Sequence, residues 1–304
     1  MLNLPLTKDE IYSKAIELGW DDMGITSPSI PEEDINAYKK WIEKGNHADL
    51  KYMENDLRCY PDKALPGVQS VCIFVSYYKQ EKVDFSDDYG VVASYSRGRD
   101  YHNVHHSRLK KFCKWLIERT GEKAEFKRFS DSFPLLERAL AVQAGLGWFG
   151  KNNLLIHRKF GTFTLLSGLL TTLPLNKEVV YERLPRCGPC TKCIDACPTN
   201  ALKPYELDAN KCLSYHLIES KNPLPKQIAD SNPGYAFGCD ICQDVCPHNA
   251  RKPLSQSQDF SPSKGVGGKI SSLEVEHFEN HPELLYGTPV KRSGSERLKM
   301  VLDS

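Results

Sequence analysis

The stretch CGPCTKCIDACP, residues 187–198, places four cysteines within eleven residues of the chain. Their order is C-x2-C-x2-C-x3-C, and a proline follows at once. Three thiolates at this spacing hold one four-iron cluster, while the fourth thiolate crosses to a second cluster. The stretch therefore predicts a fold organised around iron and sulfur, and it requires a second set of cysteines elsewhere.

The second set lies downstream in the sequence GCDICQDVCP. Cys239, Cys242 and Cys246 repeat the spacing of the last three cysteines of the first run. Ala236 stands where a first cysteine would fall, so we recruit Cys212 as the eighth ligand. Pseudo-symmetry then predicts one cluster on Cys187, Cys190, Cys193 and Cys246, and a second on Cys197, Cys212, Cys239 and Cys242.

A structural zinc site is the alternative interpretation, because two C-x2-C pairs can supply a tetrahedral thiolate set. A zinc ribbon does not use the third and fourth cysteines of the run, or the proline after each run, so clusters are the better interpretation. Cys59, Cys72 and Cys113 fit no ligand spacing, and we interpret them as buried or incidental thiols.

Composition narrows the class of protein. The chain has 304 residues, enough for about two domains, and its 40 basic and 39 acidic side chains give a net charge of +1. Any nucleic-acid partner must therefore be held by a local patch. No apolar run approaches the roughly 18 residues of a membrane span, and the amino terminus lacks a signal-peptide pattern. We expect a cytoplasmic protein with no membrane partner, whose reduced thiols favour metal ligation.

Residues 1–178 alternate helix and strand patterns, which predicts a layered α/β domain. The capping box from Thr7 to Glu10 opens a first helix, and the other predicted helices cover about residues 31–44, 104–119 and 134–144. The runs at residues 71–78 and 91–96 are β-branched and aromatic, so they read as strands. NNLLIH and TFTLLSGLL flank the turn-like KFG and predict a hairpin.

The rest of the chain divides into two parts. Residues 179–254 are cysteine-rich, and we expect the bound metal to organise their fold. Residues 255–304 begin with the linker-like SQSQDFSPSKGVGGK and end in a basic tail. The first 178 residues would then hold the electron acceptor. A dinucleotide cofactor has no support there, because neither a GxGxxG after a strand nor a P-loop is present.

Four motifs in chain order carry a resemblance to a known family: YSRGRDYHNVHHSRL, SDSFPLLERALAVQAGLGWFGKNNLLIH, CLSYHLIE and GCDICQDVCP. Together they resemble the epoxyqueuosine reductases, which are cobalamin-dependent iron–sulfur enzymes, over roughly residues 5–290. The resemblance implies a mixed α/β (α+β) fold, in which a nitroreductase-like domain binds base-off cobalamin. A ferredoxin-like domain with two 4Fe-4S clusters follows it.

The resemblance also implies a reaction. The substrate would be epoxyqueuosine at the wobble position of tRNA, reduced to queuosine by two electrons and two protons with loss of water. An external one-electron donor would supply the clusters, which pass electrons to cobalamin. Two other functions stay open: an iron–sulfur partner that serves another protein's corrinoid, and a reductive dehalogenase-like enzyme.

Asp131 is the proton donor that the resemblance implies, since it occupies the family's DSxP position. By itself, an Asp before Pro and an apolar helix is an ordinary helix N-cap. As a donor near neutral pH its pKa would have to be raised, for example by burial against Phe133, and His157 is the alternative donor. The predicted cofactor-binding residues are Arg58, Tyr101, His102, Asp131, Asn152, His157, Ser214, Tyr215 and Gln243.

The basic tail is the predicted contact to tRNA, through Lys291, Arg292, Arg297 and Lys299. The segment 97–128 is a second candidate, because it carries ten Lys/Arg against four Asp/Glu. A solvated helix face is the alternative interpretation of that excess. In either place the contacts would act mainly on phosphates, while the modified base enters the catalytic pocket.

Overall fold

The protein, described here from a computed structural model over residues 6–175 and 186–304, has a mixed α/β fold. The predicted domain boundary at 178/179 lies outside the described residues. The strands are β1 (Asp22–Thr26), β2 (Ser70–Tyr77), β3 (Gly90–Val92), β4 (Phe126–Phe129), β5 (Gly147–Phe149), β6 (Leu155–His157), β7 (Thr164–Thr171), β8 (Leu202–Lys203), β9 (Glu206–Leu207), β10 (Tyr235–Phe237) and β11 (Lys269–Ile270).

The α-helices, many of them short, connect these strands. They are α1 (Lys8–Glu17), α2 (Glu32–Glu43), α3 (Pro61–Ala64), α4 (Tyr101–Thr120), α5 (Glu137–Gln143), α6 (Lys192–Asp195), α7 (Leu213–Ile218), α8 (Lys226–Asp230), α9 (Ile241–Asp244), α10 (Ser272–Asn280) and α11 (Gly294–Leu302). Single turns of 3-10 helix lie at Lys51–Glu54, Asp56–Cys59, Ser94–Ser96, Pro247–Asn249, Pro262–Lys264, Pro282–Leu285 and Pro289–Arg292.

An antiparallel sheet of order β1-β2-β7-β4 forms the centre of the first half of the chain. All eight residues of β2 are buried, because helices cover both faces of the sheet. Successive side chains of a strand point to opposite faces. Val71, Ile73 and Val75 accordingly pack with α5, whereas Cys72 and Phe74 pack with α1 and α4. The predicted layered α/β arrangement is confirmed.

A second, three-stranded sheet joins distant parts of the chain. Strand β3 lies in the middle, with β10 from the cysteine-rich part parallel to it and β11 from the last fifty residues antiparallel to it. Val275 of α10 and Leu298 of α11 are buried in the core beside this sheet. The prediction that residues 255–304 form a linker and a tail is therefore wrong, because this segment completes a sheet and a core.

Several local predictions can be compared with the structure. The capping box at Thr7 and Glu10 is confirmed, with both reciprocal hydrogen bonds present. The predicted hairpin is confirmed only at its turn, where His157 and Gly161 form an antiparallel bridge. Beyond the turn β6 pairs with β5, while β7 lies between β2 and β4, which take up its hydrogen-bonding edges. The predicted strand at 91–96 ends at Val92 and turns into 3-10 helix at Ser94. Among the described residues, no helix is both long and apolar enough to cross a bilayer.

Candidate functional site

The first group of cysteines lines a cavity of about 200 Å³. Lys151, Asn152 and His248 border the same cavity. Helices α6 and α9, one from each cysteine run, pack against each other and bring the runs together. The Lys151 Nζ donates to the Gly188 carbonyl at 2.7 Å and ties the first run to the amino-terminal half. The four cysteines of this group are Cys187, Cys190, Cys193 and Cys246.

The second group consists of Cys197, Cys212, Cys239 and Cys242. Burial raises the pKa of Cys239, and the neighbouring thiols of Cys212 and Cys197 raise it further. The backbone N–H groups of Tyr215 and Ser214 point at the Cys212 sulfur. Cys193 of the first group acts on the pKa of Cys242, so the two groups are neighbours. The structure thus places the eight thiols near one another, and their division into two ligand sets of four stays a prediction.

The geometry of these thiols bears on the zinc alternative. All eight lie in the described part of the chain, and there no three His, Cys, Asp or Glu side chains converge on a single-ion site. A zinc ion holds each thiolate at about 2.3 Å, which requires the sulfurs to be close together. Clusters rather than zinc at these groups stay a prediction from the cysteine spacing.

The remaining cysteines lie away from both groups. Cys72 is wholly buried in the sheet core, where Cys113 packs against it. Cys59 is buried at the end of a 3-10 helix. These positions agree with the interpretation of the three thiols as structural.

Asp131 lies in the loop between β4 and α5. Its carboxylate accepts a hydrogen bond from the Tyr101 hydroxyl at 3.0 Å, and its backbone N–H donates to Glu137 Oε1 at 2.6 Å. The backbone has φ of +57°, a left-handed conformation that Asp tolerates better than most residues. Helix α5 begins at Glu137 and has no side-chain cap. The helix-cap interpretation of Asp131 is therefore wrong.

Asp131 faces a recess. Protein surrounds its carboxylate closely enough for burial to be the largest influence on its pKa, yet 70% of its side chain is accessible to solvent. The carboxylate is therefore accessible from solvent while protein atoms lie close around it. We use "the recess" for the surface around this carboxylate that carries Arg58, His102, Asp131, Glu137 and Arg138.

The charges in the recess shift the pKa values in opposite directions. Burial acts to raise the pKa of Asp131, but the neighbouring His102 ring and the hydrogen bond from Tyr101 outweigh it, so the pKa is lowered. Burial acts to lower the pKa of His102, but its hydrogen bond to Asp100 and the nearby Asp131 carboxylate raise it to about 9. Burial and the Asp131 charge raise the pKa of Glu137 to about 8. The expected raised pKa of Asp131 is therefore wrong for the free protein.

The polar walls of the recess are suited to a large polar ligand. The Arg58 side chain is 7% exposed, and its Nε has no hydrogen-bond partner among the described residues. Arg138 is exposed to the recess, and its guanidinium donates to the Asn153 carbonyl. A ligand with many amide groups could satisfy such donors.

The other predicted cofactor-binding residues fall into different environments. Asn152 is buried at the cavity of the first cysteine group, with its Nδ2 3.4 Å from the Cys242 carbonyl. Gln243 is buried and accepts from the Tyr78 hydroxyl at 3.2 Å. Ser214 and Tyr215 adjoin the Cys212 thiol, and the Tyr215 hydroxyl donates to Asp49.

His157 does not belong to the recess. It is 2% exposed, and its Nδ1 accepts from the Lys159 and Phe160 backbone N–H groups. Its Nε2 lies 3.3 Å from Asp22 Oδ2, and its ring stacks on Phe160. Its Nδ1 is thus satisfied within the fold, whereas its Nε2 is buried beside the Asp22 carboxylate with no hydrogen-bond partner among the described residues. The roles of His157 as a cofactor contact and as an alternative proton donor stay predictions.

The four basic residues of the tail differ in their surroundings. Lys291 is exposed and lies over the Tyr286 ring at 4.1 Å. Arg292 forms a two-point ion pair with Glu219, and its charge reaches Asp131. Lys299 pairs with Glu279 at 3.1 Å.

Arg297 is 7% exposed and donates to the backbone carbonyls of Asn222 and His216. Its prediction as a tRNA contact is wrong, because its donors hold α7 and α11 together.

Sequence reasoning missed two residues of this site. Asp100 binds His102 twice, through the backbone N–H at 2.9 Å and Nδ1 at 2.8 Å. The Asp-x-His spacing in RDYH, at the start of a helix, is a signal that could have found it. Glu137 lies six residues after Asp131, and no periodicity connects a loop residue to the first turn of the next helix.

Comparison with known proteins places these features in a family. Residues 58–132 match the family model described as epoxyqueuosine reductase QueG, DUF1730, and residues 186–249 match the 4Fe-4S double cluster binding domain. The chain is 36% identical to the epoxyqueuosine reductase of Leadbetterella byssophila over 297 residues, which is 96% of this chain and 94% of that relative.

Solved structures show the same fold. A crystal structure of selenomethionine-labelled epoxyqueuosine reductase superposes with a TM-score of 0.86 at 25% identity, over 97% of this chain and 80% of that one. An epoxyqueuosine reductase solved with an epoxyqueuosine-modified tRNA-Tyr stem loop gives a TM-score of 0.85 at 24% identity, over 97% and 79%.

Proposed function

The chain belongs to the epoxyqueuosine reductase family, and on that premise we propose that it reduces epoxyqueuosine in tRNA at the recess, with Asp131 as the immediate proton donor. The observation that carries the proposal is the solvent-accessible Asp131 carboxylate, held by the Tyr101 hydroxyl at 3.0 Å. An acid at this place can protonate the oxygen that leaves the opened epoxide. Since tRNA is its substrate, we locate the protein in the cytoplasm.

Eight cysteines in two adjacent groups support two 4Fe-4S clusters as the electron carriers. The proposed ligand sets are those of the two groups, with Cys212 as the ligand outside the repeated runs. When loaded, the clusters carry single electrons from an external donor towards the recess. The first group adjoins exposed residues such as Gly188 and Lys192, so we propose it as the entry point for electrons.

We propose base-off cobalamin as the second cofactor, because the buried Arg58 offers an unpaired Nε donor to a ligand rich in amides. Arg58, Asn152 and Ser214 are the residues that would hold it, with Tyr215 and Gln243 behind them. When bound, cobalamin supplies strongly reducing electrons at the epoxide carbon. The residues of this chain position the substrate, exclude water and deliver protons.

The proposed roles are assigned to successive segments of the chain. Residues 1–178 would bind cobalamin and the modified base, and residues 179–254 would hold the clusters. Residues 255–304 complete the second sheet and would place Lys291, Arg292 and Lys299 near the tRNA backbone. Arg292 is the best placed of the three, since its charge already reaches Asp131.

The experiment that tests the function is a single-turnover assay. Anaerobically reconstituted protein with cobalamin is reduced and mixed with a tRNA stem loop that carries epoxyqueuosine, and the digested nucleosides are identified by mass. We expect queuosine only when both cofactors are present. A protein that binds cobalamin and reduces it but never converts the tRNA would instead be an electron-transfer partner.

A further inference from the structure

The reaction requires more protons than Asp131 can hold. Resting on the proposed function, conversion of the epoxide to an alkene breaks both carbon–oxygen bonds, forms a carbon–carbon double bond and releases the oxygen as water. The change takes up two electrons, which the reduced cofactors supply, and two protons. A single carboxyl group carries one proton, so it must be recharged within the cycle.

A second titratable group, His102, lies next to Asp131. The His102 Nε2 lies 3.7 Å from Asp131 Oδ2, and on the other side of the ring the Nδ1 lies 2.8 Å from Asp100 Oδ1. The ring stacks on Tyr101 with 4.1 Å between centroids, which fixes its plane. Asp100 also caps α4, so its position is set by the helix. The three groups form a short row from the helix start to the recess.

The resting charges also favour this row. The pKa of Asp131 is lowered and the pKa of His102 is raised to about 9, so near neutral pH the pair consists of a carboxylate and an imidazolium. The proton thus resides on the histidine before substrate arrives. The titratable groups that face His102 are Asp100, Tyr101, His105, His106, Asp131 and Glu137.

We propose that His102 is the proton reserve of the site, passing its proton to Asp131, which delivers it to the departing oxygen. The side chain of His102 is 26% exposed, so solvent can return a proton to it and the same row can serve the second transfer. The 3.7 Å gap closes by a small rotation of the exposed Asp131 side chain, as catalytic contacts often tighten only with substrate bound. Tyr101 orients the carboxylate and keeps its own proton, since burial raises its pKa.

The other histidines of α4 do not share this role. His105 is fully buried between the hydroxyls of Ser76 and Ser130 and has no path to solvent. His106 is half-buried, one turn beyond His102, and has no hydrogen bond to Asp131 among the described contacts. His106 therefore provides a matched control on the same helix.

The test is the pH dependence of single turnover in the loaded enzyme. We expect His102→Gln to slow turnover by about 10- to 1,000-fold at pH 7.5 and to remove the loss of rate near pH 9. Asp100→Asn keeps the helix cap but removes the charge, so the loss of rate should begin at lower pH while the rate at pH 6 is retained. His106→Gln should behave as wild type.

A second readout does not depend on activity. Neutral imidazole reacts with diethyl pyrocarbonate and imidazolium does not, and peptide mass mapping distinguishes His102 from its neighbours. We expect His102 to become reactive only near pH 9 in the wild type, and at lower pH in Asp100→Asn. Wild-type rate and pH profile in His102→Gln, beside an inactive Asp131→Asn, would overturn the inference and leave the function intact. A wild type that never makes queuosine would overturn both.

Discussion

Two histidines three residues apart on α4 occupy opposite kinds of surroundings. His105 lies wholly buried, 2.9 Å from Ser130 Oγ and 3.0 Å from Ser76 Oγ, and burial lowers its pKa to about 3. His102 faces the recess between two carboxylates, and its pKa is raised to about 9. Hydroxyl groups satisfy an imidazole without stabilising its charge, whereas carboxylates stabilise the imidazolium.

The surroundings of His105 belong to a region that stabilises the fold, whereas those of His102 belong to the region proposed for catalysis. We use "the buried polar centre" for Ser76, His105 and Ser130. Their side chains form hydrogen bonds and are shielded from solvent. In the recess the groups are charged, partly exposed and incompletely paired. Matched substitutions in the two regions should therefore have opposite effects on turnover and on stability.

The largest expected effect is on turnover. Asp131→Asn should reduce conversion of epoxyqueuosine by about 100- to 10,000-fold, the usual contribution of a positioned acid, because an amide cannot donate a carboxylic proton. The unfolding free energy should change little, since asparagine also tolerates a positive φ and Asp131 caps no helix. Turnover is measured by nucleoside mass, and stability by denaturant unfolding of the same preparation.

Ser76→Ala is the matched change in the buried polar centre. It leaves His105 Nε2 without its partner, so it should cost about 1–3 kcal/mol of stability and leave turnover unchanged. If Asp131→Asn retained the wild-type rate with both cofactors loaded, the carboxylate would not be the donor, and the contrast between the two regions would fail.

The next effect is on stability against pH. The folded pKa of His102, about 9, lies above its unfolded value of about 6.5, so its contribution is present below pH 6.5 and is lost as the pH rises through 9. The folded pKa of His105, about 3, lies below that value, so its contribution is present above pH 6.5 and is lost as the pH falls towards 3.

These signs give a direct comparison of the two histidines. Relative to wild type, His102→Gln should reduce the loss of unfolding free energy at alkaline pH by about 1–3 kcal/mol. His105→Gln should reduce the loss of unfolding free energy at acid pH by about the same amount. Denaturant unfolding from pH 4 to pH 10 measures both slopes. Equal slopes in the two variants would mean that carboxylate and hydroxyl surroundings do not distinguish the two rings.

Sequence patterns predicted the features that depend on local spacing. The capping box before α1 and the two-faced burial of β2 follow from residue type and period, and cysteine spacing led to the two groups that meet in space. Their role as cluster ligands stays a prediction. The resemblance pointed to Asp131, and the structure adds the hydrogen bonds around it.

Other features depend on partners far away in sequence. The run YHNVHH gives no sign that one histidine meets carboxylates and another meets hydroxyls, because Ser76 and Ser130 come from different strands and loops. The tail reads as a polar linker, yet β3 provides an edge for its β11. Arg297 looks like a surface cation until two backbone carbonyls of another segment accept its hydrogen bonds.

A smaller effect is expected for tRNA binding at the basic tail. Lys291→Glu should weaken affinity by about three- to tenfold and reduce the salt dependence by about one counterion, because an exposed cation would be lost from the phosphate contact. The corrin spectrum should not change. Lys114→Glu, on the exposed face of α4, is the control. A larger loss in Lys114→Glu than in Lys291→Glu would move the footprint to residues 97–128.

The smallest expected change is a factor of two in iron content. The two variants compare a thiol of the cluster region with a thiol of the core. Two cubane clusters hold about eight irons, so Cys212→Ala should lower the count to about four, because the second group loses one of its four thiolates and the first keeps all of its own. Cys59→Ala removes a buried thiol that belongs to neither group, so it should retain about eight. Iron and sulfide analysis after anaerobic reconstitution gives both numbers. Equal iron in the two variants would mean that the eighth ligand is not Cys212, and stoichiometric zinc in the wild type would mean that the two groups are not cluster sites.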